Sequence, residues 1–97
     1  MSRLGKYVKA PADRKKYRLD YNDWLDTAER IETVSFSAVP SGELHCADWS
    51  IDQNGRGVEF FVGGGHTEVT YTVLVVITTS GGQTKEDSVL FLVRANS

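Results

Sequence analysis

The stretch from Glu68 to Thr79 constrains the fold more than any other part of this chain. Val69, Tyr71, Val73, Val75 and Ile77 fall on every second residue, with mostly Thr between them plus Leu74 and Val76. Successive side chains of a strand point to opposite faces, so a strict period of two marks a strand with one face on a core. A helix would need a period near 3.6, and no part of the sequence sustains one, which argues against a helical bundle or a βαβ fold.

Other segments repeat the pattern between turn signals. Ile31 to Val39 sets Val34, Phe36 and Ala38 on one face against Thr33, Ser35 and Ser37, and stops at Pro40-Ser-Gly42. Leu44 to Ile51 ends at Asp52-Gln-Asn-Gly55, and Val58 to Val62 ends at Gly63-Gly-Gly65. Ser80-Gly81-Gly82-Gln83 turns the chain into a last strand, Thr84 to Ala95. Lys16 to Leu19 reads as a short first strand. The segment Asp20 to Asp26 breaks the pattern, because Asp20, Asn22 and Asp23 favour a single helical turn whose Trp24 and Leu25 plug the core. Six or seven short strands separated by turns predict an all-β, immunoglobulin-like antiparallel sandwich. Its expected core is Phe36, Phe60, Tyr71, Val73, Val75, Val89 and Phe91, with Trp24 closing one end. Trp49 is similar to the buried Trp of immunoglobulin domains, although the cysteine pair that accompanies that Trp is missing.

With 97 residues there is room for one core. The expected organisation is a sandwich domain over 16–97 and an extended basic N-terminal arm over 1–15, where Gly5, Pro11 and scattered cations show no periodicity. Charge supports the division. Residues 1–18 hold seven cations against Asp13 alone, a net of +6, while the remainder holds four cations against twelve acids, a net of −8. The arm is therefore expected to lie on an acidic surface of a neighbouring subunit, through Arg3, Lys6, Lys9, Arg14, Lys15 and Lys16, with apolar help from Leu4, Tyr7 and Val8. Nucleic acid is an unfavourable partner, because the acidic body repels phosphate and no stacking platform accompanies the cations.

Catalytic constellations are not apparent. His45 and Cys46 are adjacent on a strand and point to opposite faces. With His66 the only other histidine, no zinc-like ligand set forms. Gly63-Gly-Gly65 precedes a strand and not a helix, so it reads as a turn and not as a phosphate loop. Asp20, Asp23 and Asp26 lack the spacing of a calcium loop and read as caps. No Ser or Thr sits in a nucleophile signature. The expectation is a non-enzymatic protein with no metal and no cofactor. A lone cysteine suits a reducing compartment, and the apolar run at Val73 to Ile77 is far too short to span a bilayer, so no membrane partner is expected.

The run KKYRLDYNDWLDTAERIETVSFSAV, followed by VEFFVGGGHTEVTYTVLVVITTSGGQTKEDSVLFLV, resembles the fibre–tail adaptors, a family of small virion proteins of tailed bacteriophages. The D-Y-x-D-W-L segment, the V-F-x-x-GG turn and the Y-x-V…I-T-T-S-x-G hairpin carry the resemblance, over about residues 16–93. Leu44 to Asn54 departs from the family pattern. The resemblance implies a structural virion component, assembled in the host cytoplasm, that joins fibres to the tail or neck. Its partners would be other phage structural proteins in a symmetric assembly of several copies, and the family offers no catalytic residue to carry over. A capsid decoration or cement protein is the first alternative. A carbohydrate-binding attachment module is the second, resting on Trp49, Asp48, Asp52 and Asn54.

Overall fold

Alternation, turn chemistry and one buried lysine explain the seven strands found among the described residues. A computed structural model describes residues 2–95, with side chains from residue 5 onward. The strands are β1 (Ser2–Lys9), β2 (Arg14–Asp20), β3 (Ile31–Val39), β4 (Leu44–Ile51), β5 (Gly57–Gly64), β6 (Thr70–Thr79) and β7 (Thr84–Val93). They form a four-stranded sheet in the order β1-β7-β6-β3 and a three-stranded sheet in the order β2-β5-β4. All pairings are antiparallel except β1 with β7, which is parallel. In a constant-type immunoglobulin domain the first strand belongs to the same sheet as the second. Here it sits instead at the free edge of β7, and the expected fold class otherwise holds.

The two inner faces meet in an aromatic core. Phe36 on β3 packs on Phe60 of β5 with ring centroids 4.7 Å apart, and Tyr17 of β2 meets Phe91 of β7 edge-on at 5.0 Å. Val58, Phe60, Val62, Tyr71, Val73, Val75, Ile77, Val89 and Phe91 are fully buried, while Phe36 and Trp24 are partly buried against that cluster. The turn after β2 takes the expected form: Asp20 Oδ1 accepts from Asn22 N, and Trp24 N and Leu25 N both donate to Tyr21 O.

Tyr71 sets one corner of the sandwich. Its hydroxyl accepts from the backbone N–H of His66 at 2.8 Å and donates to Glu43 Oε1 at 2.9 Å. A tyrosine near the start of this strand, bonded back to the chain just upstream, is the tyrosine corner of immunoglobulin-like domains. Gly65 makes the corner possible. Its φ is +95°, and a Cβ there would meet Val93 Cγ2 at 2.7 Å.

Two expectations are corrected. Residues 2–9 do not leave the sandwich as an arm, because they are hydrogen-bonded along β7 from Ser2↔Asp87 to Lys9↔Val93. The alternation was hidden because one inward position is a lysine. Lys9 lays its aliphatic stem in the core and donates its Nζ to the carbonyls of Ala10 and Gly64, each at 2.6 Å. Pro11 belongs to the turn that carries the chain to the other sheet, closed by Asp13 N to Ala10 O and by Ala10 N to Asp13 Oδ2. Trp49 is 46% exposed and is not the buried Trp of the fold. A bulge between Ala47 and Ser50, with Asp48 at φ +51°, interrupts the register there, and Phe36 fills the inter-sheet space instead.

Phe60→Ala should lower unfolding free energy by about 3–5 kcal/mol, whereas Trp49→Ala should change it by less than about 0.5 kcal/mol. Urea denaturation of both variants checks this pair, and comparable losses would contradict the assignment of core and surface.

Candidate docking surfaces

Of the nine residues expected to form one partner-binding arm, seven have described side chains, and these fall in three environments. The side chains of Arg3 and Leu4 lie outside the described residues. Tyr7 and Lys9 turn toward the other sheet: Tyr7, still 36% exposed, stacks on Phe91 at 5.5 Å and leans on Tyr17 at 4.7 Å, and Lys9 is buried. Arg14, Lys15 and Lys16 belong to β2, and Lys6 and Val8 are exposed on β1.

Three of the four cations of β2 are matched by acids within the domain. Arg14 pairs with Asp48 and places its guanidinium 4.1 Å from the centroid of Phe61. Lys16 lies 3.6 Å from Glu59, and Arg18 pairs with Asp52 and lies 3.7 Å from Asp20. These pairs form because β2 and β4 flank β5 and direct these side chains to the same outer face of the sheet. The hydrogen bond and charge of Asp52 hold the Arg18 guanidinium above its ordinary pKa. Each exposed pair contributes only about 0–1 kcal/mol, so the ladder orders the face more than it stabilises the fold. It also engages Asp48 and Asp52, two of the residues on which a carbohydrate site would depend.

The opposite sheet presents a different surface. Outward positions of β1, β7, β6 and β3 stand in register as lanes across the strands: Val8, Leu92 and Thr70; then Lys6, Leu90, Thr72 and Val39; then Ser88, Leu74 and Ser37; then Glu86, Val76 and Ser35. Aliphatic side chains thus cross the face diagonally, and Val8 and Val39 at its margins are 51% and 57% exposed. Leu90 and Leu92 were not singled out as surface in the sequence, although a signal existed. The unbroken run Val89-Leu-Phe-Leu-Val93, and Leu74 and Val76 among threonines, is the pattern of strands covered on both faces.

A polar network closes the end of the sandwich near Trp24. Arg56 donates through Nη1 to the carbonyls of Asp26 and Glu29 at 3.2 and 3.0 Å, and through Nη2 to those of Asn22 and Leu25 at 3.0 and 3.2 Å. Buried Glu29 accepts from the Thr79 hydroxyl, from Asp26 N at 3.0 Å and from Gln83 Nε2. Those hydrogen bonds, Thr79 foremost, hold its carboxyl below the ordinary value of 4.5. A neighbouring cavity of about 280 Å³ lined by Asp26, Thr27, Ala28, Glu29, Ser80, Gly81 and Gln83 is open and shallow. Burial pushes the Cys46 thiol up to about 11, which makes it a poor nucleophile at neutral pH. Among the described residues no group of three or more His, Cys, Asp or Glu could hold a metal ion, and no helix is long and apolar enough to cross a membrane.

These features define an immunoglobulin-like sandwich with one ion-paired and one apolar outer face, which is the build of a structural interaction domain. Over residues 9–92 the chain matches the family profile described as podophage GP4 fiber-tail adaptor protein gp77, and it belongs to that family: it is a structural component of the bacteriophage tail. The match begins at Lys9, earlier than the resemblance in sequence indicated, and runs through Leu44 to Asn54, which had seemed foreign to the pattern. No curated protein matches the chain. Among solved structures it is similar to part of a 2,6-sialyltransferase of Vibrionaceae Photobacterium sp. JT-ISH-224, determined in a ternary complex with CMP and lactose. The TM-score is 0.57 at 10% identity, over 97% of this chain and 18% of the sialyltransferase chain, a likeness of fold alone.

Glu29 gives a pH prediction. Its carboxyl is lowered in the folded state, so its contribution to stability is complete above the ordinary value of 4.5 and disappears as pH falls through the folded value. Glu29→Gln should therefore be less stable than wild type at neutral pH, and the difference should shrink on acidification. Melting curves across pH 3–7, as an approximate acid window around carboxylate titration, measure it. A gap that stays constant would show that Glu29 remains at its ordinary value.

Proposed function

We propose that this chain is a non-enzymatic adaptor that joins tail fibres to the tail or neck of the particle. It would assemble in the host cytoplasm, in several copies on a symmetric ring. The observation that carries this reading is the family match over residues 9–92, which reaches from the last residue of β1 to the penultimate residue of β7 and so takes in both sheets. The geometry supports it. A domain with two chemically distinct faces on opposite sheets is suited to holding two different protein surfaces at a fixed separation. A small domain also gains stability by docking, because a partner that binds only the folded state adds to its unfolding free energy by mass action.

Phage grown without this gene should yield particles with filled heads and tail machinery but without fibres, and adsorption should fail. Supplying the protein in trans should restore both. Particle mass spectrometry should find a small number of copies, about six to twelve, as closed rings imply. Mutant particles with a full fibre complement would overturn the adaptor reading, and copies by the hundred would favour capsid decoration.

A further inference from the structure

We infer that the outer edge of β1 receives an extended, acidic segment of a different virion protein, which adds a strand to the β1-β7-β6-β3 sheet. This rests on the adaptor reading and gives the chemistry of one of its attachments. Backbone geometry supplies the first argument. In a parallel pair, alternate residues turn both their N–H and C=O groups to the neighbouring strand. Arg94 N donates to Lys9 O at 2.8 Å and Lys9 stands opposite Val93, so Lys9, Tyr7 and Gly5 face β7. Lys6 and Val8 therefore turn their N–H and C=O groups away from β7, on the side where the strand order ends among the described residues. The other edges are blunted: β2 by its row of cations, β4 by its bulge and β3 by Pro40. From Gly5 to Lys9, β1 pairs with β7 in unbroken register and contains no proline, so it is the edge suited to strand addition.

Charge selects the occupant. Lys6 and Lys15 are exposed, and among the described residues neither has a carboxylate within ion-pair distance. Asp13, the acid on this side, accepts from Ala10 N and closes the turn. The two faces of an added strand would meet different surroundings. One continues the outer face beside Lys6 and Val8. The other turns toward Tyr7 and a groove of about 320 Å³ lined by Val8, Lys9, Asp13, Arg14, Lys15 and Tyr17. Acids on both faces of the segment would answer Lys6 and Lys15, with aliphatic residues against the exposed parts of Tyr7 and Val8. A second copy offers no such segment: its β1 and β2 edges are cationic, its β4 edge is bulged at Asp48, and its β3 carries Glu32 alone.

Phage lacking this gene and supplied in trans with variants of the chain test the edge, with retention of the chain in particles and fibre content both measured. Val8→Pro removes one outward N–H and keeps the bonds to β7, so the purified variant should melt close to wild type. In particles it should lower retention or fibre content by about tenfold or more. Val8→Thr, which keeps the N–H, should behave as wild type. The double variant Lys6→Glu/Lys15→Glu should fail as Val8→Pro does, with its melting temperature unchanged, and it decides the matter should Val8→Pro not fold. Normal particles with either the proline or the charge variant would overturn strand addition, and so would Val8→Thr particles as defective as those of Val8→Pro. Amide hydrogen exchange of the purified wild type supplies a further check: protection of Lys6 and Val8 that grows with protein concentration would put a second copy on this edge and overturn the proposal. The adaptor reading is judged separately, by whether the wild-type chain restores fibres.

Discussion

The contact between Tyr17, Phe60, Phe91 and Phe36 holds the two sheets together, and the remaining features depend on it. An extracellular immunoglobulin domain ties its sheets with a disulfide across the core. Here Val73, on the strand and at the spacing where one of those cysteines would stand two residues beyond the corner tyrosine, is an aliphatic core residue, and Cys46 is the single cysteine. Cohesion therefore comes from burial and ring packing. Each large aromatic removes on the order of 150–250 Å² from water, and tilted or edge-on ring pairs add about 0.5–1.5 kcal/mol beyond the area buried. Tyr7 extends the stack to β1, so the same aromatic cluster that joins the sheets also holds the first strand against β7. This explains how 97 residues keep a sandwich together without a covalent crosslink.

Much of the fold was legible in the sequence because alternation and turn chemistry agreed. β3 and β4 have the boundaries read from the residues, and β6 and β7 differ only at an end. The core residues named in advance are buried, Phe36 partly so. The failures share a cause. Lys9 and Trp49 were judged by residue type, a lysine as surface and a tryptophan as core, while backbone geometry decided otherwise. Two carbonyls near the β5 end accept the Lys9 ammonium, and the bulge at Asp48 leaves Trp49 on an edge. Arg56 and Glu29 were missed because most of their partners are distant in sequence. Arg56 reaches Asn22, Leu25, Asp26 and Glu29, 27 to 34 residues away, and Glu29 reaches Thr79 and Gln83, 50 and 54 residues away, while its bond from Asp26 N is local.

The charge asymmetry shows how a count along the chain can be redistributed by the fold. A net +6 in the first eighteen residues and −8 in the rest suggested a basic arm seeking an acidic partner. The fold answers part of that asymmetry internally, for three of the seven cations. β2 is hydrogen-bonded to β5, so its Arg14, Lys16 and Arg18 come opposite Asp48, Glu59 and Asp52. Segregation of charge in sequence became alternation of charge across a sheet. Such charge also protects an edge: β2 exposes cations along its length, β4 is bent by its bulge, and β3 ends at Pro40, all of which discourage strand addition by another chain.

With those edges blunted, the broad apolar face of the four-stranded sheet becomes the surface that most needs explaining. An antiparallel sheet with one wet face is expected to alternate apolar and polar residues, as β3 does with Ser35 and Ser37. β6 and β7 violate that rule at Leu74, Val76, Leu90 and Leu92, on the central strands where a contact would be buried deepest. On the other sheet the outward positions of β2 follow the rule, and Arg14, Lys16 and Arg18 are matched by Asp48, Glu59 and Asp52. Selection for a free-standing domain would favour the polar pattern on both sheets, since an apolar face left in water promotes nonspecific association. A protein that functions only within an assembly escapes that constraint. The departure from alternation is what the proposed adaptor role would require of this sheet, a face covered by a partner, and it falls on the sheet opposite the ion-paired one.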